Sequence, residues 1–410
     1  MRRQLALAAA LGGLLTLGPA AAPAQATPGA ARTPPMGWNG YNQHGYKVTE
    51  AIVRANAAAL VSSGLAARGY RYVLLNGGWG APTRDAAGNL QADPGRFPHG
   101  IPALSAYVHS LGLKLGIYES AGTTNCSADM PGGYPDHYAQ DAATFAAWGV
   151  DYIKFDYCRV PGLPRNGPGN PALAKSIAAK MAAAIAATGR PMIFDVNDAN
   201  ARRSHDLDWT WARSVGANEW RTATDIRASY SSMYHKIFGE AGSPGAKNLA
   251  GHAGPDGWND PDYLEVGNGE VTRAIAKTHL SLWAIEAAPL IEGHDIASLS
   301  AVDRAALANT GLIAIDQDRA GIAGRSVPGM PRGLWVLYRR LANGDRAVAL
   351  FNASTSVRTI TTSARQVGMP ADSRGYTLTN IWGGQVTTTS GTISHVVNPH
   401  STVLYRVRRR

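Results

Sequence analysis

Cysteine is scarce in this 410-residue sequence, which contains only Cys126 and Cys158. Two thiols are too few to build a zinc site by themselves, and no histidine spacing completes one. No metal site is therefore expected. In an exported protein an even pair favours a disulfide, and closing a loop of this length would contribute about 3–4 kcal/mol. Two unpaired buried thiols are the alternative.

Long apolar runs are absent beyond the first residues, so no later segment is long enough for a membrane helix. A basic start, Arg2-Arg3, precedes an apolar stretch from Leu5 to Leu17, and Ala24-Gln25-Ala26 fits a small-x-small cleavage site. We therefore expect residues 1–26 to be a secretory signal peptide and the mature chain to be secreted, with no membrane partner after cleavage.

The sequence also lacks a basic recognition motif, although its formal charge is +10. Four arginines stand at the extreme C-terminus, and the remaining positive charge is spread along the chain. A solvated basic surface explains this balance better than a nucleic-acid partner does.

What the sequence does contain is material for a large core, with 45% hydrophobic residues and 46 glycines. Strand-like runs alternate with helical patterns, the first helix being opened by Thr49 as a good N-cap. The predicted strands span residues 37–41, 70–75, 114–118, 152–157, 192–196, 214–218, about 249–253 and 289–291, and the main helices span 49–60, 102–111, 141–148, 172–187 and 272–285. This alternation predicts an α/β fold, a (β/α)₈ TIM barrel over residues 27–325.

The pattern changes near residue 325. A Gly-Pro-rich segment, 327–331, is followed by short alternating runs with Gly, Asn and Asp between several of them. These runs predict a small antiparallel β-sandwich over residues 326–410. Because no exposed aromatic row is evident, we expect this domain to pack against the barrel rather than to bind carbohydrate.

The most informative run is 152–158, which has the character of a buried strand and yet contains Lys154 and Asp156. Side chains two positions apart point to the same side of a strand, and buried charges are costly unless paired or used. A structural ion pair at the barrel rim is one reading. Asp225, four residues after Arg221, favours a catalytic role instead. Two carboxylates, each near a cation, are the catalytic groups that a glycoside hydrolase uses.

Further polar residues fall at the expected carboxyl ends of the strands, where TIM-barrel active sites lie. No single residue of this set is diagnostic, but so many of them at one end of the barrel indicate an active site. The set comprises Trp38, Asn39, Asn76, Trp79, Tyr118, Glu119, Asn197, Asp198, Asp260 and Asp262.

Five motifs in this order resemble the α-galactosidase (melibiase) family of retaining α-glycosidases over residues 33–322. They are Thr33-Pro34-Pro35-Met36-Gly37-Trp38-Asn39, Gly116-Ile117-Tyr118, Lys154-Phe155-Asp156-Tyr157-Cys158, Trp220-Arg221-Thr222 with Asp225, and Asp256-Gly257-Trp258-Asn259-Asp260-Pro261-Asp262. The resemblance implies that Asp156 is the nucleophile, which forms a glycosyl-enzyme ester, and that Asp225 is the acid and then the base. Retention requires their carboxyl groups to lie about 5–5.5 Å apart.

The resemblance also implies a pocket for the glycone, the sugar whose anomeric carbon reacts. Lys154 and Arg221 would contact this sugar, and Trp38, Tyr118 and Asp262 match other positions of the family's pocket. The substrate would be an oligosaccharide or polysaccharide. No cofactor is expected, because carboxylates supply both the nucleophile and the proton transfer.

The sequence departs from the family at the end of the second strand, where an Asp-Asp pair holds hydroxyls four and six of galactose. Here the pair becomes Asn76 and Gly77, and Gly78 replaces the cysteine that usually follows. One lost charge-assisted hydrogen bond costs about 1.5–3 kcal/mol.

Two further strand ends depart from the family. Asn197-Asp198 stands for a Cys-Glu pair, and Ser120 replaces an aspartate for which Glu119 could compensate in part. We expect the chemistry to be retained and the glycone pocket to be rebuilt.

Four hypotheses about the function remain open from the sequence, three of them for the substrate of an enzyme. A terminal α-galactoside ranks first, because the rest of the barrel is of that type. An isomaltosyl-type substrate would fit if Gly77 opened space near carbon six, and a β-L-arabinopyranoside lacks that carbon. A non-catalytic sugar-binding protein would suit the lost Asp pair, but the presence of both Asp156 and Asp225 argues against it.

Overall fold

The computed structural model describes residues 27, 29–163, 169–197, 208–239 and 245–410. The expected signal peptide and Asp198 lie outside these described residues. Within the described ranges, no helix is both long and apolar enough to cross a membrane.

Eight parallel strands form a curled sheet, as the sequence predicts. They are β1 (Met36–Asn39), β2 (Tyr72–Leu75), β3 (Lys114–Ser120), β4 (Tyr152–Asp156), β5 (Ile193–Asn197), β6 (Glu219–Arg221), β7 (Trp258–Asp260) and β8 (Leu290–Glu292). Their spatial order is β7-β6-β5-β4-β3-β2-β1-β8. Leu264, beyond β7, closes the barrel, because its N–H donates to Ile291 and its carbonyl accepts from Gly293.

Helices surround this sheet and account for the alternating pattern of the sequence. They are α1 (Tyr41–His44), α2 (Glu50–Ser62), α3 (Gly100–Ser110), α4 (Tyr138–Ala147), α5 (Pro171–Ala187), α6 (Asp208–Trp211), α7 (Tyr230–Phe238), α8 (Arg273–Glu286), α9 (Ala301–Leu307) and α10 (Thr310–Asp316), with 3-10 turns at Gly45–Lys47, Ala66–Arg68, Ala212–Val215 and Ala246–Leu249. Thr49 caps α2 as predicted, its side chain accepting from the Ile52 N–H.

Two predicted strands are wrong. Residues 214–218 begin inside one 3-10 turn, and residues 249–253 begin at the last residue of another. The strands lie further along the chain, at β6 and β7, and each contains only three residues. Strands this short carry no alternation that a sequence pattern could reveal.

The strands alternate between an inward and an outward face. On β4, Ile153 and Phe155 pack in the main hydrophobic cluster with residues of the surrounding helices, whereas Tyr152 belongs to a separate cluster inside the barrel. Lys154 and Asp156 continue the inward row toward the carboxyl end of the strand. The barrel interior therefore changes from apolar at the bottom to charged at the top.

The C-terminal part is antiparallel, which confirms the predicted fold class. Its larger sheet has the order β14-β13-β16-β11-β10-β9, and β12 pairs with β15. The strands are β9 (Arg325–Ser326), β10 (Leu334–Arg340), β11 (Arg346–Asn352), β12 (Arg358–Ser363), β13 (Tyr376–Asn380), β14 (Val386–Thr389), β15 (Thr392–Val397) and β16 (Ser401–Arg409). A second hydrophobic cluster, which includes Val336, Leu350, Ile360 and Ile393, fills the space between the two sheets.

The sandwich packs on the barrel through buried contacts with α8 and α10. The guanidinium of Arg339 is 1% exposed and donates to the carbonyls of Ala284 and Asp316. Trp382 donates its indole N–H to the Ser281 hydroxyl at 2.8 Å. A buried arginine that reaches backbone carbonyls of the other domain fixes how the two domains meet.

Candidate active site

A cavity of about 660 Å³ opens at the carboxyl ends of the barrel strands. Eight of the predicted catalytic and binding residues line it, together with both cysteines: Asn76, Tyr118, Lys154, Asp156, Asn197, Arg221, Asp225 and Asp262. These side chains come from six different strands or strand ends, so it is the closure of the barrel that brings them together.

Lys154 and Asp156 form a buried ion pair within β4. The Lys154 Nζ lies 2.7 Å from Oδ1 of Asp156, and the two side chains are only 7% and 8% exposed. Burial raises the pKa of the Asp156 carboxyl above its ordinary value, and the Lys154 ammonium opposes that rise. A carboxylate held beside one cation in this way is suited to nucleophilic attack.

Asp225 lies in the loop after β6, where its side chain is 72% exposed to the cavity. The Arg221 guanidinium donates to Oδ1 of Asp225 at 3.2 Å and to Oδ2 of Asp262 at 2.8 Å. Partial desolvation raises the pKa of Asp225, but Arg221 and Lys154 outweigh it, so that this pKa lies below its ordinary value.

Asp262 is engaged mainly in holding the loop that carries Asp225. Its Oδ2 accepts from the Ile226 N–H at 2.6 Å as well as from Arg221, and its Oδ1 accepts from the Tyr263 N–H at 2.8 Å. The backbone of Asp262 has a positive φ of 90°. Although it borders the cavity, these contacts indicate that Asp262 positions Arg221 and Asp225.

Two amides offer polar groups to the cavity. Asn197 is fully buried at the end of β5, and its Oδ1 has no hydrogen-bond partner among the described residues. Asn76 uses its Oδ1 to accept from the Gly77 N–H at 2.9 Å, and among the described residues its Nδ2 remains for a ligand. A buried amide group without a partner is the kind of atom that a sugar hydroxyl can satisfy.

Cys126 and Cys158 form the expected disulfide. It joins the loop after β3 to the segment after β4, and both residues border the cavity. Cys158 lies two residues beyond Asp156, and the Tyr118 hydroxyl approaches its Sγ at 3.7 Å. The disulfide thus holds one wall of the cavity close to the ion pair of β4.

Two predicted binding residues do not line the cavity. Trp38 is fully buried in the main hydrophobic cluster. Its neighbours face the inside of the barrel, where Gly37 meets Tyr72 and the Asn39 amide reaches Tyr263. Because side chains alternate along a strand, Trp38 points the other way. Gly77 is covered by Tyr46, so the open space expected there is absent.

Glu119 cannot compensate for Ser120, because it follows inward-facing Tyr118 and faces outward. Its buried carboxyl lies beside Asp141 of α4, and burial together with Asp141 raises its pKa. Asp198, the remaining predicted residue, lies outside the described residues.

Aromatic residues after β1 were missed by sequence reasoning. Tyr41 and Tyr46 line the cavity, and their rings meet edge to face with centroids 5.5 Å apart. Tyr263, also on the cavity wall, accepts a hydrogen bond from Asn39 at 2.9 Å. One sequence feature could have identified Tyr41: it lies two residues after Asn39, where strand β1 is followed by helix α1.

Three more carboxyls form a buried group below the catalytic pair. Oxygens of Asp195, Glu219 and Asp260 lie within 4.8 Å of one another. Burial and the neighbouring Asp260 raise the pKa of Asp195 to about 8, and burial raises that of Asp260 to about 6. The spacing would suit a cation, but positive charge already comes from Lys154 and Arg221, and bound protons remove the remaining repulsion.

Comparison with known proteins gives consistent matches over most of the chain. Residues 33–318 match the family described as alpha galactosidase A, and residues 332–407 match the alpha galactosidase C-terminal beta sandwich domain. The alpha-galactosidase of Cyamopsis tetragonoloba is 38% identical over 380 residues, which cover 92% of this chain and 86% of that protein.

Solved structures agree with these sequence matches. Alpha-galactosidase I from Mortierella vinacea superposes with a TM-score of 0.84 at 30% identity, over 94% of this chain and 99% of that one. The alpha-galactosidase of Saccharomyces cerevisiae, solved with raffinose, gives a TM-score of 0.83 at 25% identity, over 94% of this chain and all (100%) of the other.

Proposed function

Because this chain belongs to the alpha-galactosidase family, we propose that it hydrolyses terminal α-D-galactosidic bonds and retains the configuration at the anomeric carbon. The observation that carries this proposal is the pairing of each carboxylate with its own cation in one cavity. Asp156 pairs with Lys154, and Asp225 pairs with Arg221. Two carboxyl groups on one cavity wall, one beside an ammonium and the other open to the cavity, are the pair of groups that a retaining glycosidase uses.

In the first step, a carboxylate oxygen of Asp156 attacks the anomeric carbon of the bound galactoside. Asp225 gives its proton to the glycosidic oxygen as the bond to the aglycone breaks. The alcohol leaves, and the galactosyl group remains as an ester on Asp156. The position of Asp156 on the cavity wall supports this role, because a bound sugar can reach its carboxylate while the Lys154 ammonium stabilises the negative charge.

In the second step, the Asp225 carboxylate takes a proton from water, whose oxygen attacks the same carbon from the opposite face. The ester bond breaks, galactose leaves, and Asp225 is protonated again for the next cycle. Two inversions give net retention. The exposure of Asp225 to the cavity supports its role, because both the aglycone oxygen and water must reach it.

We also propose that the substrate is an oligosaccharide and that the protein is exported. The yeast relative solved with raffinose supports a galactosyl oligosaccharide as substrate. The disulfide supports an oxidising compartment. N-terminal sequencing of protein secreted by the producing cells tests the second point, with Thr27 expected near the start.

The proposed activity is tested by hydrolysis of aryl glycosides. The purified protein should cleave an aryl α-D-galactoside much faster than the corresponding α-D-glucoside or β-L-arabinopyranoside, and it should release galactose from raffinose. Asp156→Ala should abolish turnover, whereas Asp136→Ala, at an exposed position outside the cavity, should not. If the α-galactoside is not cleaved, or is cleaved more slowly than both other glycosides, the proposal fails.

A further inference from the structure

The end of β2 is occupied by an aromatic side chain rather than by open space. A Cβ at Gly77 would lie 2.5 Å from Cε1 and 2.9 Å from Cδ1 of Tyr46. At Gly78, whose φ is +93°, a Cβ would lie 2.5 Å from the Tyr46 carbonyl oxygen. All three distances are too short for real side chains, so the paired glycines allow Tyr46 to pack directly on this backbone.

Tyr46 is held in this position from several sides. Its carbonyl accepts from the Arg96 guanidinium at 2.6 Å, and Arg96 is in turn bound by Asp93 at 2.8 Å. Its ring meets the Tyr41 ring edge to face. A side chain fixed by its own backbone and by a neighbouring ring forms a rigid wall rather than an adaptable one.

The same wall is uncharged. Burial, and after it Tyr41 and Asp156, raise the pKa of the Tyr46 phenol above its ordinary value, so the hydroxyl is neutral at neutral pH. Next to it, Asn76 presents an amide. The part of the described cavity wall that Tyr46 and Asn76 form is therefore neutral, whereas the lining carboxylates are Asp156, Asp225 and Asp262.

We propose that Tyr46 determines glycone specificity by closing the cavity beside Gly77, so that only a terminal galactose without a substituent on that side is accepted. The inference deepens the proposed function and rests on it. An enzyme of this kind removes single terminal galactosyl residues and rejects a chain that continues past the glycone on the side of Tyr46. Rejection follows from lost space, since an added group would have to displace a ring packed against backbone.

The experiment measures kcat/KM for the unmodified protein and for two single variants, Tyr46→Ala and Tyr46→Phe. The substrates are an unmethylated aryl α-D-galactoside and the same compound with a single O-methyl group at position 2, 3, 4 or 6. Tyr46→Ala should raise kcat/KM for at least one methylated substrate, relative to the unmethylated one, by about tenfold or more. Tyr46→Phe keeps the ring and should leave this ratio unchanged. Tyr107→Ala, on α3 and away from the cavity, is the matched control.

A second single variant, Gly77→Ala, keeps the test valid if Tyr46→Ala folds poorly. Gly77→Ala places its Cβ against the Tyr46 ring and should lower kcat/KM for the unmethylated substrate by about tenfold or more, mainly through a higher KM. Adding Tyr46→Ala to Gly77→Ala should recover part of that loss, a coupling that independent sites would not show.

Three results would overturn the inference. The first is a ratio of kcat/KM for methylated to unmethylated substrate that is the same in Tyr46→Ala and in the unmodified protein. The second is Gly77→Ala with unchanged kinetics. The third is a similar change in the Tyr107→Ala control. Failure of the unmodified protein to cleave the plain α-galactoside would instead reject the proposed function.

Discussion

The Lys154 ammonium lies 2.7 Å from Oδ1 of Asp156, two residues away on the same inward face of β4. Burial of this pair raises the pKa of the carboxyl, and the ammonium limits the rise. The spacing was evident from the sequence, and the structure shows the contact itself. Its consequences for activity can be measured.

Lys154→Met should move the acid limb of the pH profile upward. Asp156 must be ionised to attack, so activity is lost as pH falls through its pKa, and removal of the cation leaves the effect of burial unopposed. The measurement is kcat/KM against pH for an aryl galactoside with a good leaving group. It is best made in an Asp225→Asn background, which removes the titration of the second catalytic carboxyl. An acid limb at the same pH in both proteins would show that Lys154 does not act on Asp156.

Asp225→Ala should slow substrates with poor leaving groups far more than activated aryl glycosides. Loss of a general acid typically costs about 10²–10⁴-fold when the leaving group needs a proton, and much less when it does not. Steady-state rates on raffinose and on a dinitrophenyl galactoside make the comparison. Equal losses on both substrates would argue against an acid role.

The pH dependence of the unmodified protein follows from the same residue. Arg221 and Lys154 keep the pKa of Asp225 below its ordinary value. Since Asp225 must be protonated at the start of the cycle, activity should decline as pH rises, and the optimum should be acidic. The ordinary pKa of an aspartate carboxyl is about 4, so an optimum above about pH 7 would contradict this assignment.

Removal of the disulfide should destabilise the fold and disturb the cavity. The bridge closes a sequence separation of 32 residues, for which the chain-entropy model gives about 3–4 kcal/mol. Cys126→Ala combined with Cys158→Ala should therefore lower the midpoint of urea unfolding and also raise KM, because both cysteines border the cavity. Unchanged unfolding with altered KM would show that the bridge shapes the site without stabilising the chain.

The buried carboxyl of Asp195 should make stability depend on pH. Its pKa in the folded protein is raised to about 8, whereas the unfolded value is near 4. Its contribution to stability is therefore complete below about pH 4 and is lost as pH rises toward 8. Thermal unfolding from pH 4 to 8 should show Asp195→Asn becoming progressively more stable relative to the unmodified protein. Parallel curves, like those expected of Asp136→Asn, would show that Asp195 is not protonated in the folded state.

Much of the fold could be predicted because its longer elements have regular patterns. The runs of β3, β4 and β5 and the caps of the helices are local features. In contrast, β6 and β7 contain three residues each and were placed too early in the chain. Their positions depend on pairing with neighbouring strands, which short runs do not encode locally.

The candidate site was predicted in part for similar reasons. Lys154 and Asp156 share one strand, and Arg221 and Asp225 are four residues apart, so local spacing was sufficient to pair them. Tyr46 could not be found in this way, because its role depends on contact with Gly77, thirty-one residues away. Sequence reasoning treated that glycine as empty space, whereas the fold fills it from another element.

The most direct test of the central claim is to identify the residue that carries the sugar during turnover. Incubation with 5-fluoro-α-D-galactosyl fluoride should trap the glycosyl-enzyme, because the ring fluorine slows both steps whereas the fluoride leaving group speeds only the first. Proteolysis with mass spectrometry then locates the label. We predict a single fluorogalactosyl ester on Asp156 that is absent from Asp156→Ala. A label on Asp225 or another residue, or turnover without any covalent species, would contradict the claim.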